Sequence, residues 1–276
     1  MRPRERSGAI GCVCSFLAAV LLVGVPLPSL AAPAPVAYWS FNDSGNPGHD
    51  DSGQGHDLTI PGTWSAVSGV SGKGMHFDSY GSGTNWGASP RGPYTATAGL
   101  GYPGPSGFAV EYWFQLGSGP VQIGVRDYWQ HVAGGETFVL RYNPATSLAE
   151  FEVRTDFTNN NPSIQAAVSG LSGAWVHLLG SYDPVGYTTS LYVNDGLAAQ
   201  GHLSGPMRSA IAPYFYISGS WHETNAGTLD EVKLYNQSVP EPATFLLVAL
   251  GGFALRRRRR GNGAAKGLSP RGAWGL

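Results

Sequence analysis

Between residues 33 and 238 no stretch of ten or more places its apolar side chains at helical spacing, while short alternating segments recur between Gly, Pro, Asn and Asp. That pattern confines the chain to β structure. Phe108-Ala-Val110-Glu-Tyr112-Trp-Phe114-Gln-Leu116 sets its largest apolar groups on one face. Residues 148–155 turn Phe151 and Val153 one way and Glu150, Glu152 and Arg154 the other. Further strands are expected at 36–41, 74–78, 121–126, 137–142, 174–182, 190–193, 214–218 and 229–235. Asn194-Asp195-Gly196 after a strand is a tight hairpin signal. About a dozen short strands in roughly 200 residues predict an all-β fold, a two-sheet antiparallel jelly-roll sandwich. The 40 Gly of 276 residues suit its many turns. A charged content of 13% excludes coiled coils and long solvent-facing helices.

The two ends read differently. Residues 1–31 form a secretory signal, expected as a helix: Arg2, Arg4 and Arg6 are followed by an uncharged, largely apolar run at 9–25. Pro26 and Pro28 end that run, and Ser29-Leu30-Ala31 places small residues for signal peptidase. Cys12 and Cys14, the only cysteines, lie inside this segment, so residues 32–276 contain none and their core holds without disulfides. At the other end Val239, Pro240, Glu241, Pro242, Ala243 and Thr244 precede an apolar run at 245–255, and Arg256, Arg257, Arg258, Arg259 and Arg260 follow without a break. An apolar segment before a basic cluster is a stop-transfer signal that keeps the arginines cytoplasmic and the domain outside. As a helix the run spans only about 16 Å against about 30 Å of hydrocarbon, so the anchor is weak. Residues 261–276 are expected as a disordered cytoplasmic tail.

Proline, glutamate and proline at 240–242, with the apolar run and the arginines, resemble the PEP-CTERM sorting signal of exopolysaccharide-producing Gram-negative bacteria. The resemblance implies processing by the membrane protease exosortase and transient membrane anchoring through residues 239–260. In that family the basic cluster usually ends the chain, whereas here residues 261–276 extend past it. The middle of the chain resembles the laminin G-like module of the concanavalin A-like lectin/glucanase superfamily. Tyr38-Trp39-Ser40-Phe41-Asn42 is similar to its opening aromatic strand, and residues 50–57 to its Asp-x-Ser-Gly loop. Residues 69–78, 108–113, 175–183, the hairpin at 191–196 and the closing strand at 229–236 follow in family order. The resemblance runs over about residues 36–236 and places the domain at 33–238, with the sorting tail starting directly after Asn236.

These residues bear on several chemistries. Ca²⁺ takes about six to eight oxygens, often from a loop. Asp43, Asp50, Asp51 and Asp57 crowd one Gly-rich stretch. The resemblance implies that the first and last strands lie together, which adds Asp230 to Asn42, Asp43 and Asp50 as the expected ligands; the alternative is that these Asp residues satisfy turn amides. For zinc, His49 and His56 offer ligands, but no helix sets them on one face and no Cys joins them. Glu150 and Glu152 share a strand face at about 6–7 Å. They do not match the Glu-x-Asp-x-x-Glu strand of the glucanase branch, and Arg154 on that face is an ion-pair partner for them. Sugar rings stack on exposed aromatics. Trp86 and Tyr94 are expected in one Gly/Pro-rich loop, Tyr128, Trp129 and His131 in a second, and Trp221 and His222 in a third; Trp86, Tyr94, Trp129 and Trp221 are the expected carbohydrate platforms. No Gly-x-Ser-x-Gly turn and no phosphate loop appears.

The formal charge of −1 for the whole chain is an average over unlike parts. Residues 32–240 hold sixteen acidic and seven basic residues, a charge of −9, which argues against nucleic acid and for cations. The combined reading is a secreted, surface-sorted, non-catalytic domain that binds exopolysaccharide or cell-envelope glycan with Ca²⁺ as a supporting ion. It is expected at the cell surface or in the extracellular matrix of a Gram-negative bacterium. A structural matrix or adhesion protein that binds other proteins is the first alternative, and a polysaccharide hydrolase or lyase the second.

Overall fold

Alternating burial is the signature of strands packed on one face, and it is clearest in the middle of the second sheet. Leu148–Val153 reads intermediate, buried, intermediate, buried, intermediate, buried. The computed structural model describes residues 33–60, 64–77, 93–117, 122–128, 136–155, 162–209, 214–217 and 227–239. By its internal contacts the chain divides into residues 1–32 and 33–276. The first unit, with the expected signal helix, lies outside the described residues, as do Pro240, Glu241, Pro242, the apolar run and Arg256 to Arg260. Among the described residues no helix is long and apolar enough to cross a membrane.

The described residues form fourteen strands and no α-helix. They are β1 (Ala37–Trp39), β2 (Ser65–Ser68), β3 (Lys73–Phe77), β4 (Tyr94–Ala96), β5 (Phe108–Leu116), β6 (Ile123–Tyr128) and β7 (Phe138–Asn143), followed by β8 (Leu148–Val153), β9 (Ser163–Ala167), β10 (Trp175–Asp183), β11 (Thr188–Val193), β12 (Gly196–His202), β13 (Tyr214–Ile217) and β14 (Gly227–Tyr235). One sheet runs β12-β11-β10-β5-β14-β3-β2, with β1 also paired to β14; the other runs β4-β13-β6-β7-β8-β9. All pairings between named strands are antiparallel, and the result is a jelly-roll sandwich. The expected hairpin is present: Asn194 and Asp195 both take positive φ, 49° and 66°, and β11 turns directly into β12. The first and last strands do lie together, with Tyr38 opposite Lys233 and Trp39 opposite Val232.

The core fills the space between the sheets. Trp39 of β1 stacks on Phe215 of β13 at 5.3 Å, and Phe108 of β5 meets Phe138 of β7 at 4.6 Å, so aromatic pairs tie sheet to sheet. Buried Tyr112 directs its hydroxyl at the Ile123 and Leu140 carbonyls across the gap, 3.3 Å from each. Gly180 faces the Phe151 ring, and a Cβ there would lie 2.5 Å from a ring carbon. β2, β4 and β9 were not anticipated, and β12 only as the unnamed second arm of the hairpin. They are the four sheet edges, short or exposed, and poor in large apolar side chains.

Beyond β14 the chain stays on the fold. Gln237 bridges to Ser106 in parallel, the Ser238 amide donates to the Ser106 carbonyl at 2.9 Å, and the Val239 amide donates to Ser181 Oγ at 3.1 Å. The chain therefore stays hydrogen-bonded to the fold for three residues past Asn236. The turn before β5 accommodates this exit because Gly104 has no Cβ to strike the Asn236 carbonyl oxygen.

Candidate functional site

The four residues expected to hold Ca²⁺ bind backbone. Asp50 is 1% exposed and accepts the amides of Tyr38 and Ser52 on one oxygen and of His56 on the other, at 2.9–3.0 Å. Burial pushes its carboxyl up, but these hydrogen bonds outweigh burial and leave it below the usual range. Asp43 caps its own turn through the amides of Gly45 and Asn46. Asn42 and Asp230 do meet, on Ser71: Asn42 Nδ2 donates to the Ser71 carbonyl at 3.2 Å, and Asp230 Oδ2 accepts the Ser71 amide at 3.0 Å. Asn42 Oδ1 also accepts the Lys73 amide at 2.7 Å. Burial lifts Asp230 to about 6 against these amides, with the neighbouring Glu231 charge acting in the same direction. Among the described residues no group of three or more His, Cys, Asp or Glu is arranged to hold a metal ion. His49 is paired with Asp57 at 3.3 Å.

Of the four aromatic platforms, Tyr94 is described; Trp86, Trp129 and Trp221 lie outside the described residues. Tyr94 sits on edge strand β4 rather than in a loop, because β13 supplies the pairing that its short, Pro-flanked segment does not announce. There it joins two rings that sequence reasoning missed. Tyr94 and Tyr214 meet edge to face at 5.1 Å, Tyr94 and Tyr216 at 5.8 Å, and Tyr214 and Tyr216 at 6.1 Å. The signal was present in Tyr214-Phe215-Tyr216: Phe215 enters the core, so the flanking tyrosines lie on the other face of the sheet, where Tyr216 is itself buried, 3% exposed. Tyr94 and Tyr214 are half-buried, and Arg126 stands opposite Tyr216 in register. From this aromatic edge the same outer face continues into polar groups. Arg141 Nε donates to Glu150 at 2.8 Å and its Nη1 to Gln122 at 3.2 Å, while Gln165 donates to the other Glu150 oxygen at 3.2 Å.

Glu150 and Glu152 share that face, as expected. Both are engaged by arginine, Glu150 by Arg141 at 2.8 Å and Glu152 by Arg154 at 2.9 Å; Arg154 also reaches Glu136 at 2.9 Å. Burial raises both carboxyls. The Arg141 charge and hydrogen bond reverse this at Glu150, whereas Glu152, beside Glu136 and Glu150, stays above the usual range despite Arg154.

The opposite outer face carries a second charged network. His177 lies between Glu111 at 3.3 Å and Asp195 at 2.8 Å, and its ring stacks on Trp113 at 4.9 Å. Glu111 also receives Lys233 at 3.3 Å and the Tyr235 hydroxyl at 2.8 Å. Burial opposes ionisation of Glu111, but the His177 hydrogen bond and the Lys233 charge bring it from 4.5 to about 2. Burial likewise lowers His177, and its two carboxylates overturn that and leave it raised.

Comparison with solved structures finds this sandwich in binding domains. The receptor-binding domain of botulinum neurotoxin C/D mosaic serotype aligns with TM-score 0.57 and 10% identity, covering 78% of this chain and 50% of that one. The binding domain of botulinum neurotoxin DC, solved in complex with SialylT, gives 0.56 and 10%, with coverages of 78% and 50%. Domain 4 of AbnA, an extracellular arabinanase from Geobacillus stearothermophilus solved with arabinotriose, gives 0.50 and 16%, with coverages of 76% and 95%. The chain spans about half the length of the toxin domains, and at such identities the likeness is one of fold. No curated protein matches the chain. Residues 238–260 match the PEP-CTERM protein-sorting motif, which marks a chain for export and surface sorting in Gram-negative bacteria. Residues 90–242, more than half of the chain, match the concanavalin A-like lectin/glucanases profile, and the chain belongs to that superfamily.

Proposed function

We propose that this is a surface-sorted, non-catalytic glycan-binding domain that engages exopolysaccharide or cell-envelope glycan on the outer face of its six-stranded sheet. The observation that carries the reading is the half-buried ring pair of Tyr94 and Tyr214, packed on buried Tyr216 beside Arg126 and continuing into Gln122, Arg141, Glu150 and Gln165. Half-buried tyrosine faces take the C–H face of a sugar ring, and the fixed polar groups along the same sheet take its hydroxyls. The sorting motif supports a surface location, with exosortase as processing enzyme and transient anchoring through residues 239–260. The toxin binding domains among its solved neighbours, and the arabinanase domain solved with arabinotriose, agree with it.

Ca²⁺ enters this proposal as a supporting ion near Asn42 and Asp230, which already converge on Ser71. What supports it is the raised Asp230 carboxyl next to Glu231, since a cation relieves that unfavourable charge. An ion there displaces amides that now occupy the side-chain oxygens. Affinity electrophoresis of the full chain in mild detergent, through gels holding matrix polysaccharide, tests both parts. Retardation in Ca²⁺ that weakens in EDTA supports the whole reading, and equal retardation in both removes the ion. Free migration in both favours the matrix or adhesion reading, in which the domain contacts protein. The hydrolase reading has one favourable observation, the opposite shifts of Glu150 and Glu152. It requires reducing-sugar release that Glu152→Gln abolishes.

A further inference from the structure

The eight-stranded sheet carries a polar cleft on its own outer face, away from the tyrosine cluster. Its floor follows from strand register. Ser181 of β10, Ser190 of β11 and Gln200 of β12 stand abreast, and Asp183, Thr188 and His202 form a second rank beside them. Ranks two residues apart on neighbouring strands bring side chains on one face within roughly 5–7 Å of each other. Ser238 and Val239, pinned by Ser106 and Ser181, build one wall, and the enclosed volume is about 270 Å³.

We propose that this cleft is a second saccharide site that takes a neutral sugar residue. The site is small beside the roughly 300–1,000 Å³ of drug-sized pockets, which suits a mono- or disaccharide unit. The hydroxyls of Ser181, Thr188, Ser190, Ser238 and Tyr192, each able to donate and accept, and the Gln200 amide match a polyol. They are prearranged: Gln200 donates to Ser190 Oγ at 3.2 Å, Thr188 Oγ1 lies 3.2 Å from His202 Nδ1, and Asp183 is held by the Val185 amide at 2.9 Å through one oxygen. Among the described residues the lining holds Asp183 and no Lys or Arg, so an acidic sugar meets repulsion from Asp183. The two sites lie on opposite faces of the sandwich, so one domain holds two glycan segments and cross-links them. This second site does not depend on the tyrosine face.

Amide shift mapping on the full chain in mild detergent tests it, with maltotriose, cellotriose and arabinotriose as neutral probes and trigalacturonate as the acidic one. A neutral probe is expected to shift Ser190, Gln200 and Ser238. Gln200→Ala and Asp183→Asn each weaken that response by about tenfold without changing shifts at Tyr94 and Tyr214. Asparagine keeps the acceptor that caps the Val185 turn, so a loss in Asp183→Asn reads the charge rather than the fold. Response at the cleft without response at Tyr94 and Tyr214 removes the tyrosine-face reading and leaves this one standing. No shift at the cleft with any neutral probe, equal response to trigalacturonate, or unchanged affinity in both variants overturns it.

Discussion

Asp50 shows what a single side chain contributes. Its two oxygens accept three backbone amides at a site 1% exposed, so Asp50→Ala leaves three donors without their acceptor. The expected cost is on the order of 3 kcal/mol, measured as a lower urea midpoint at unchanged slope. The acidic, Gly-rich stretch around it was legible in the sequence, but its purpose was not, because the same residues serve an ion or a set of turn amides. His177 gives the pH prediction at this scale. Its pKa is raised in the fold by Glu111 and Asp195, so its contribution is complete below the ordinary imidazole pKa and is lost as pH rises through the raised value. Glu111, brought from 4.5 to about 2, contributes above 4.5 and loses that contribution as pH falls towards 2. The stability difference between the wild type and His177→Gln is therefore expected to shrink as pH rises from the ordinary imidazole value of 6.5 through the raised one in urea titrations. A difference that grows over that range contradicts the assignment.

At the scale of elements, the central strands were legible and the edges were not. β5 and β8 announce themselves because burial on one face demands alternation, and β10 because it is a continuous buried run rich in large side chains. β2 and β12 are largely exposed, so their composition is free of that demand and only pairing makes them strands. The same effect hid the aromatic site: Tyr94 reads as loop until β13 pairs with it. β1 is short, yet Trp39 locks it to the other sheet by stacking on Phe215 and donating its indole N–H to the His56 carbonyl at 2.9 Å. Trp39→Ala is expected to cost about 3–5 kcal/mol, read from chemical denaturation. The exit segment behaves as a separate element. A Gly104→Val side chain strikes the Asn236 carbonyl, so the amides of Ser238 and Val239 should exchange hydrogen faster while those of β5 and β10 keep their protection.

The whole molecule joins two outer faces of different chemistry to a sorting motif at residues 238–260. The start of that motif lies on the fold, since Ser238 and Val239 are hydrogen-bonded to Ser106 and Ser181. Family and sorting signal were readable as ordered motifs over much of the chain. The binding faces were not, because they arise from residues distant in sequence that register sets side by side. A domain charge of −9 favours neutral or cation-bridged glycans as its ligands. The most direct test of the glycan-binding claim is co-sedimentation of the full chain with purified matrix polysaccharide, comparing wild type with the double variant Tyr94→Ala, Tyr214→Ala. The wild type should pellet with the polysaccharide and the double variant should bind about tenfold more weakly, the cleft on the opposite face retaining the remainder. Equal sedimentation of the two, or none with either, contradicts the account.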